Sequence, residues 1–195
     1  MRPSRSSTRL AVPAFPDSYG PKVHSWTLAH AAALYARSMS EPVTLREITP
    51  ENEAAVRALA VAPGQELFID PVSESLTEAA STPDARPWYR AIYAGDQPVG
   101  FVMLSFNVPP GHPEYPWRYF LWRILIDARH QRLGYGTAAM ALVIDLVRRS
   151  PGATDLVMSV QPGGPAPFYR SLGFEPTGEW FDGEEVYRLP LRPGT

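Results

Sequence analysis

The sequence predicts an α+β domain in which one mixed sheet is flanked by helices. Two stretches carry that prediction. "WYRAIYA" (Trp88–Ala94) and "VGFVMLSF" (Val99–Phe106) flank Gly95-Asp96-Gln97-Pro98, which has the composition of a hairpin turn. Tyr119–Ile126 then reads as a strand that passes through a glycine-containing segment into a helix. That helix carries Met140, Val143, Ile144 and Val147 at helical spacing and turns Asp145, Arg148 and Arg149 to water. At 195 residues and 45% hydrophobic composition the chain can bury one sizeable core, so one folded domain is expected.

The remaining elements follow in order. Residues 1–38 hold Arg2, Arg5, Arg9, Lys22 and Arg37 against a single Asp17, among scattered Ser and Pro, a composition unlike the rest. Three readings compete for them: a disordered tail, an organellar transit peptide, or an extension upstream of a true start at Met39, with tail or misassigned start favoured. The domain is expected over 39–195. Val43–Ile48 is a short strand that runs into Thr49, Pro50 and Glu51, which fit the N-cap, first position and first-turn acid of a helix reaching about Leu59. After Pro63-Gly64 a second helical stretch, about Ser73–Ala80, is closed by Ser81-Thr82-Pro83. A loop with four prolines, Pro109–Trp117, stiffens the path to Tyr119. The long helix ends at Pro151-Gly152, and a strand Asp155–Val160, a short helix near Pro167–Leu172 and a strand Tyr187–Leu191 complete the pattern.

Composition removes several function classes. A formal net charge of −2 gives no concentrated basic face for nucleic acid. With no cysteine there is no disulfide, thiolate metal site or cysteine nucleophile, and His24, His30, His112 and His130 lack ligand spacing, so no metal is expected. No apolar run reaches the roughly 18–20 residues that span a bilayer, and no signal region is visible, so a cytoplasmic protein without membrane contact is expected.

The segment "RHQRLGYGTAAM" (Arg129–Met140) places Gly134 and Gly136 one residue apart at the junction of strand and helix. Glycines there let the backbone turn sharply and leave amide N–H groups uncovered. The first turn of a helix has unpaired N–H donors and the positive end of the macrodipole, so the junction suits an anion such as a diphosphate. It is not a P-loop, because no Gly-Lys-Ser/Thr closes it. It is also a poor dinucleotide fingerprint, because position 139 is Ala and Ala128–Leu133 separates the strand from the first glycine.

Gln131-x-x-Gly134-x-Gly136 after "FLWRILID" resembles the acetyl-CoA motif, Gln/Arg-x-x-Gly-x-Gly/Ala, of the GNAT superfamily of N-acetyltransferases. "PFYRSLGF" (Pro167–Phe174) resembles the same family's Tyr-x-x-x-Gly-Phe signature, and two matches about 35 residues apart are more specific than either alone. The resemblance extends over about Val43–Leu191, and "WRILID…QRLGYGTAAM" with "GQELFIDPVSESLTEA" (Gly64–Ala79) is most similar to the bacterial spermidine/spermine acetyltransferase-like branch.

This resemblance implies the GNAT-type acyl-CoA N-acyltransferase fold, a mixed, mostly antiparallel sheet with about four helices. It also implies acetyl transfer from acetyl-CoA to a primary amine by direct attack in a ternary complex. The amides of Gln131, Arg132, Leu133, Gly134, Tyr135, Gly136 and Thr137 would bind the diphosphate, with charge added by the Arg132 side chain. Leu125 and Ile126 would pair with pantetheine like an added strand and polarise the thioester carbonyl through an amide. Tyr169 would protonate the departing thiolate. An asparagine common in the family about six residues before this tyrosine is missing from "QPGGPAP".

A lysine-like amine with pKa near 10.4 costs about 4.6 kcal/mol to deprotonate at pH 7. The glutamate that serves in eukaryotic spermidine/spermine acetyltransferases has its place here taken by Trp122. Glu66, Asp70 and Glu114 are the carboxylates in segments expected near the acceptor, and a water chain would also serve. Thr49–Ala85 holds seven acids against Arg57 alone, which would suit a cationic acceptor such as a polyamine. A small-molecule amine is therefore the expected partner. A protein N-terminus, an antibiotic amine, and a silent acyl-CoA-binding module stay open as alternatives, as does a homodimer.

Overall fold

The computed structural model describes residues 41–191; the expectations for residues 1–38 lie outside them. In chain order the elements are β1 (Val43–Arg46), α1 (Glu53–Arg57), α2 (Val72–Ser81), β2 (Pro87–Ala94), β3 (Gln97–Phe106), β4 (Tyr119–Ile126), α3 (Tyr135–Arg148), β5 (Asp155–Val160), α4 (Ala166–Ser171), β6 (Glu175–Phe181) and β7 (Glu184–Pro190). They form one seven-stranded sheet in the order β1-β2-β3-β4-β5-β7-β6. Every neighbouring pair is antiparallel except β4 and β5, which α3 connects as a crossover. The mixed, mostly antiparallel sheet with four helices is as expected.

Side-chain alternation divides the core into two layers. On one face Met140, Val143 and Val147 of α3 and Tyr169 of α4 pack on Leu104, Leu121, Leu156 and Met158. On the other, Val56 and Leu59 with Val72 and Ala79 of α2 pack on Ala91, Tyr93, Phe101, Met103 and Leu125. Each helix thus buries its apolar stripe against the strand residues of one parity.

The functional geometry begins in β4. Met103 pairs with Arg123 and Leu104 with Leu121, so Trp122 is an extra residue on β4, a β-bulge. A bulge bends its strand and increases the local twist. The parallel pairing of β4 with β5 holds only at Phe120↔Val157 and Leu121↔Met158, immediately before the bulge. Beyond it the two strands separate, and the β5-facing edge of Arg123–Ile126 is left without a strand.

Two elements differ from expectation. The first helix is shorter than predicted: it begins after Asn52, whose side chain accepts from the Thr49 N–H at 2.8 Å and donates to the Glu47 carbonyl at 2.9 Å, so residues 49–52 form a single turn, closed by the Glu53 N–H on the Thr49 carbonyl at 2.9 Å, ahead of the regular helix. Strand β6 has no counterpart in the sequence expectation. It is exposed along its whole length and carries Pro176 and Gly178, so it has neither the alternation nor the composition of a strand, and pairing to β7 holds it at the sheet edge.

Asp127 closes β4. It is 3% exposed, accepts from the Ala60 N–H at 3.2 Å and the Arg129 N–H at 3.0 Å, and pairs with the Arg129 guanidinium at 2.7 Å. One carboxylate thereby ties the end of β4, the segment after α1 and the start of the glycine loop together. The Arg129 side chain and the backbone donors hold its pKa at about 2, below the ordinary 3.8, despite burial. A depressed carboxylate contributes stability in full above its unfolded pKa, and that contribution disappears as pH falls through the folded value. Asp127→Asn is expected to lower the unfolding free energy by about 1–2 kcal/mol at pH 7. The gap between the two proteins should close between about pH 4 and pH 2 in denaturant titrations; a gap independent of pH would contradict the charge argument.

Candidate active site

Where β4 and β5 part, a cavity of about 850 Å³ opens. Its walls bring together Leu125, Ile126, Gln131, Arg132, Gly134, Gly136, Thr137 and Tyr169 of the predicted site, along with Glu66, Asp70 and Trp122. Leu133, Tyr135 and Glu114 are not on the wall. Leu133 packs against the core, Tyr135 is buried beneath the helix start, and Glu114 sits in the exposed loop after β3. Any part played by Leu133 and Tyr135 therefore lies in their main chain.

The glycine loop is built to expose amides. Arg132 (φ 62°) and Gly134 (φ 83°) are both left-handed, and the first bond of α3 is Ala138 N–H to the Gly134 carbonyl at 3.0 Å. The N–H groups of the preceding first turn therefore have no acceptor within the helix, and left-handed residues alternating at 132 and 134 are the backbone pattern that suits an anion. A Cβ built on Gly134 would meet no heavy atom within 4 Å, so the approach to these amides is open. The exposed Arg132 lies on the same wall. This donor set, all N–H and guanidinium with an unobstructed approach, fits the diphosphate of coenzyme A.

The Gln131 side chain acts as a brace: its amide donates to the Ile126 carbonyl at 3.0 Å and to Gln65 Oε1 at 2.7 Å. The contact also shows which way β4 points. Asp127 N–H donates to Val99 of β3 at 2.9 Å, so by alternation the backbone groups of Ile126 face the open cleft, where an extended chain would add as a strand. The Leu125 side chain belongs to the second core layer.

The rest of the wall comes from residues 64–70, which meet the glycine loop at Gln65, and from the strand ends. Phe68 lies within 3.9 Å of the point where a Gly163 Cβ would be, which carries its ring across the cavity to the loop after β5. Gly164 allows this loop to be so tight, since a Cβ there would meet the Gln161 carbonyl at 2.9 Å and Val160 Cγ1 at 3.0 Å. Arg123 is clamped by Asp70 and by Glu78, the latter at 2.7 Å, so Asp70 is committed to an ion pair. Trp122, Phe120 and Phe181 give aromatic surface, and Glu66, Asp182 and Glu184 give negative charge. Sequence reasoning missed Arg123 and Glu184 because they act through partners distant in the chain, and Asp127 because its link to Ala60, unlike its pair with nearby Arg129, exists only in the fold.

Tyr169 is 8% exposed with its ring edge-on to Phe168 and Phe174. Burial, and then the charge of Glu184, push its phenol pKa far above the ordinary 10.0. It is a neutral donor throughout any working pH range. His130, beside the loop, has its pKa pushed below the ordinary 6.5, first by burial.

The acetyltransferase (GNAT) family model matches residues 53–174, and the chain belongs to that family. Solved structures similar to it include an acetyltransferase from Thermus thermophilus, with 21% identity and a TM-score of 0.58 over 77% of this chain and 97% of that one. The ribosomal-protein-S18-alanine N-acetyltransferase of Escherichia coli is similar at 21% identity and TM-score 0.54, covering 78% of this chain and 96% of that one. A PaiA N-acetyltransferase of Thermoplasma acidophilum, in complex with coenzyme A, is similar at 11% identity and TM-score 0.55, covering 76% and 98%. No curated protein matches the sequence. The protein is an N-acetyltransferase of the GNAT class.

Gly134→Ala is expected to cost about 1–2 kcal/mol of stability, because an L side chain at φ 83° is strained even where space is open. Relief of that strain would shift the backbone that presents the free amides, so calorimetry should show coenzyme A affinity falling at least tenfold; unchanged affinity would mean that the diphosphate is held elsewhere.

Proposed function

We propose that the protein transfers the acetyl group of acetyl-CoA to a primary amine of a small cationic molecule, with polyamines as the first substrate class to test. The observation that carries this reading is the polarity of the cavity. Bare amides and Arg132 lie at the glycine loop; across the gap between β4 and β5, the β5–β7 side carries Asp182 and Glu184 with the ring of Phe181. Arg123 is neutralised by Asp70 and Glu78, and Glu66 adjoins Gln65, which Gln131 of the glycine loop binds. An anionic carrier and a cationic acceptor would therefore enter from the two sides of the gap and meet where β4 leaves β5, a division of charge that orients both before reaction.

In this reading the main chain of Ile126 orients the acyl carrier and an amide polarises the thioester carbonyl. The nitrogen attacks, a C–N bond forms and the C–S bond breaks. A phenol as weakly acidic as Tyr169 cannot simply surrender its proton to a thiolate. It can do so while accepting the proton that the tetrahedral nitrogen sheds, so Tyr169 would relay one proton from nitrogen to sulfur and end the cycle neutral.

A thiol-release assay with spermidine, peptide N-termini and aminoglycosides tests the acceptor class. Fastest turnover is expected on spermidine; exclusive turnover on peptides would replace the polyamine reading. Tyr169→Phe should lower kcat about 100-fold with coenzyme A affinity unchanged. The wild-type rate should show no alkaline fall up to about pH 10, because the raised phenol pKa keeps its proton in place. Equal rates for the two proteins would remove Tyr169 from the mechanism.

A further inference from the structure

A charged amine must lose a proton before it attacks, and the carboxylates expected from the sequence are poorly disposed to receive it. Asp70 is bound by Arg123, Glu66 is on an exposed loop and Glu114 is off the cavity wall. A different carboxylate is built into the wall. Glu184 opens β7, is half-buried, and accepts a hydrogen bond from Ser159 Oγ of β5. The β5–β7 register pairs Ser159 with Val186, so Glu184 and Ser159 share one face of the sheet, and both line the cavity with Tyr169.

Among the described residues no cation pairs with Glu184, whereas Arg123 on the facing strand already has two acids. A half-buried carboxylate with one hydroxyl donor and no counter-charge is open to pairing with an incoming cation.

Resting on the acetyl-transfer reading, we propose that Glu184 receives the acceptor amine: it holds the ammonium against the thioester and conducts the first proton that it sheds to the open mouth of the cavity. Ser159 is the positioning residue that fixes the carboxylate. The proton balance closes. The ammonium passes one proton through Glu184 to solvent, the neutral nitrogen attacks, and its second proton reaches sulfur through Tyr169, leaving an amide, a thiol and one released proton. The charge of Glu184 bears on the Tyr169 phenol, which is consistent with the two groups facing one reacting centre.

The other ionisable groups around this part of the wall are the Arg123–Asp70–Glu78 cluster on the β4 side and the exposed Glu66 and Asp182. His130 and Arg132 lie toward the glycine loop. Between pH 7 and pH 10, His130 and Tyr169 are both neutral, so the free alkylamine is the group that titrates in the assay.

The test compares Glu184→Gln, which keeps a partner for Ser159, with Ser159→Ala, which keeps the charge. Two acceptors are used, spermidine and a weakly basic arylamine that is already neutral at pH 7. Glu184→Gln should lower kcat/KM for spermidine about 100-fold at pH 7, with the deficit shrinking toward pH 10 as the amine loses its proton unaided. The arylamine should change less than about threefold, coenzyme A affinity should not change, and Ser159→Ala should give a smaller loss in the same direction. A spermidine deficit constant from pH 7 to pH 10, equal losses on both amines, or no loss would overturn the role of Glu184 alone. If the wild type binds coenzyme A yet turns over neither amine, the transfer reading itself fails and this assignment goes with it.

Discussion

The parallel contact of β4 with β5 is limited to two residue pairs, because the bulge at Trp122 turns β4 away. This interruption creates the cavity and everything placed in it. It leaves the main chain of Ile126 facing a gap instead of a neighbour, and it opens a space into which Tyr169 from α4 and Ser159 from β5 both face. A continuous ladder would close the cavity and satisfy those backbone groups internally. The bulge forfeits part of the ladder, and two apolar layers, one beneath α3 and α4 and the other beneath α1 and α2, hold the sheet together on either side of the opening.

The site is rigidified by polar groups that make no direct chemical contribution. Asp127 fixes the end of β4 to the loop that follows, and Gln131 fastens that loop to Ile126 and to Gln65. The loop can therefore hold Arg132 in left-handed geometry, which costs a non-glycine residue conformational energy that a free segment would release by relaxing. Arg123 serves the other side, drawing Asp70 and Glu78 onto β4 and so placing residues 64–70 along the cavity. The charge division follows: N–H donors and Arg132 gather at the helix start, while Asp182 and Glu184, with no cation partner among the described residues, stand on the β7 side.

Much of this was legible in the sequence, for identifiable reasons. Strands β2 to β5 and helix α3 carry apolar periodicity strong enough to be read directly, and the glycine pair with Tyr169 stands in two short motifs whose spacing is set within local chain segments. Strand β6 was illegible because an exposed edge needs no apolar face, and its Pro176 and Gly178 are tolerated only at an edge. The sequence puts the first helix too early, at Thr49, because Asn52 and not Thr49 supplies the side chain that organises the turn. Glu184 gave no signal of its own. Its position depends on the β5–β7 register, which brings it beside a serine 25 residues earlier in the chain. Trp122 stands in the sequence where a base was expected, while its role as the bulge is a property of pairing with β3 and invisible in one strand alone.

The central claim is that main-chain N–H groups, unpaired because the sheet parts and a helix begins, hold the carrier. Amide chemical shifts of the isotope-labelled protein, followed during titration with coenzyme A, test it most directly. The account predicts large downfield shifts confined to Arg132–Thr137 and to Ile126, with the acceptor wall around Phe68 and Glu184 little affected. Shifts spread over other elements, with Gly134, Gly136 and Ile126 unmoved at saturation, would contradict it.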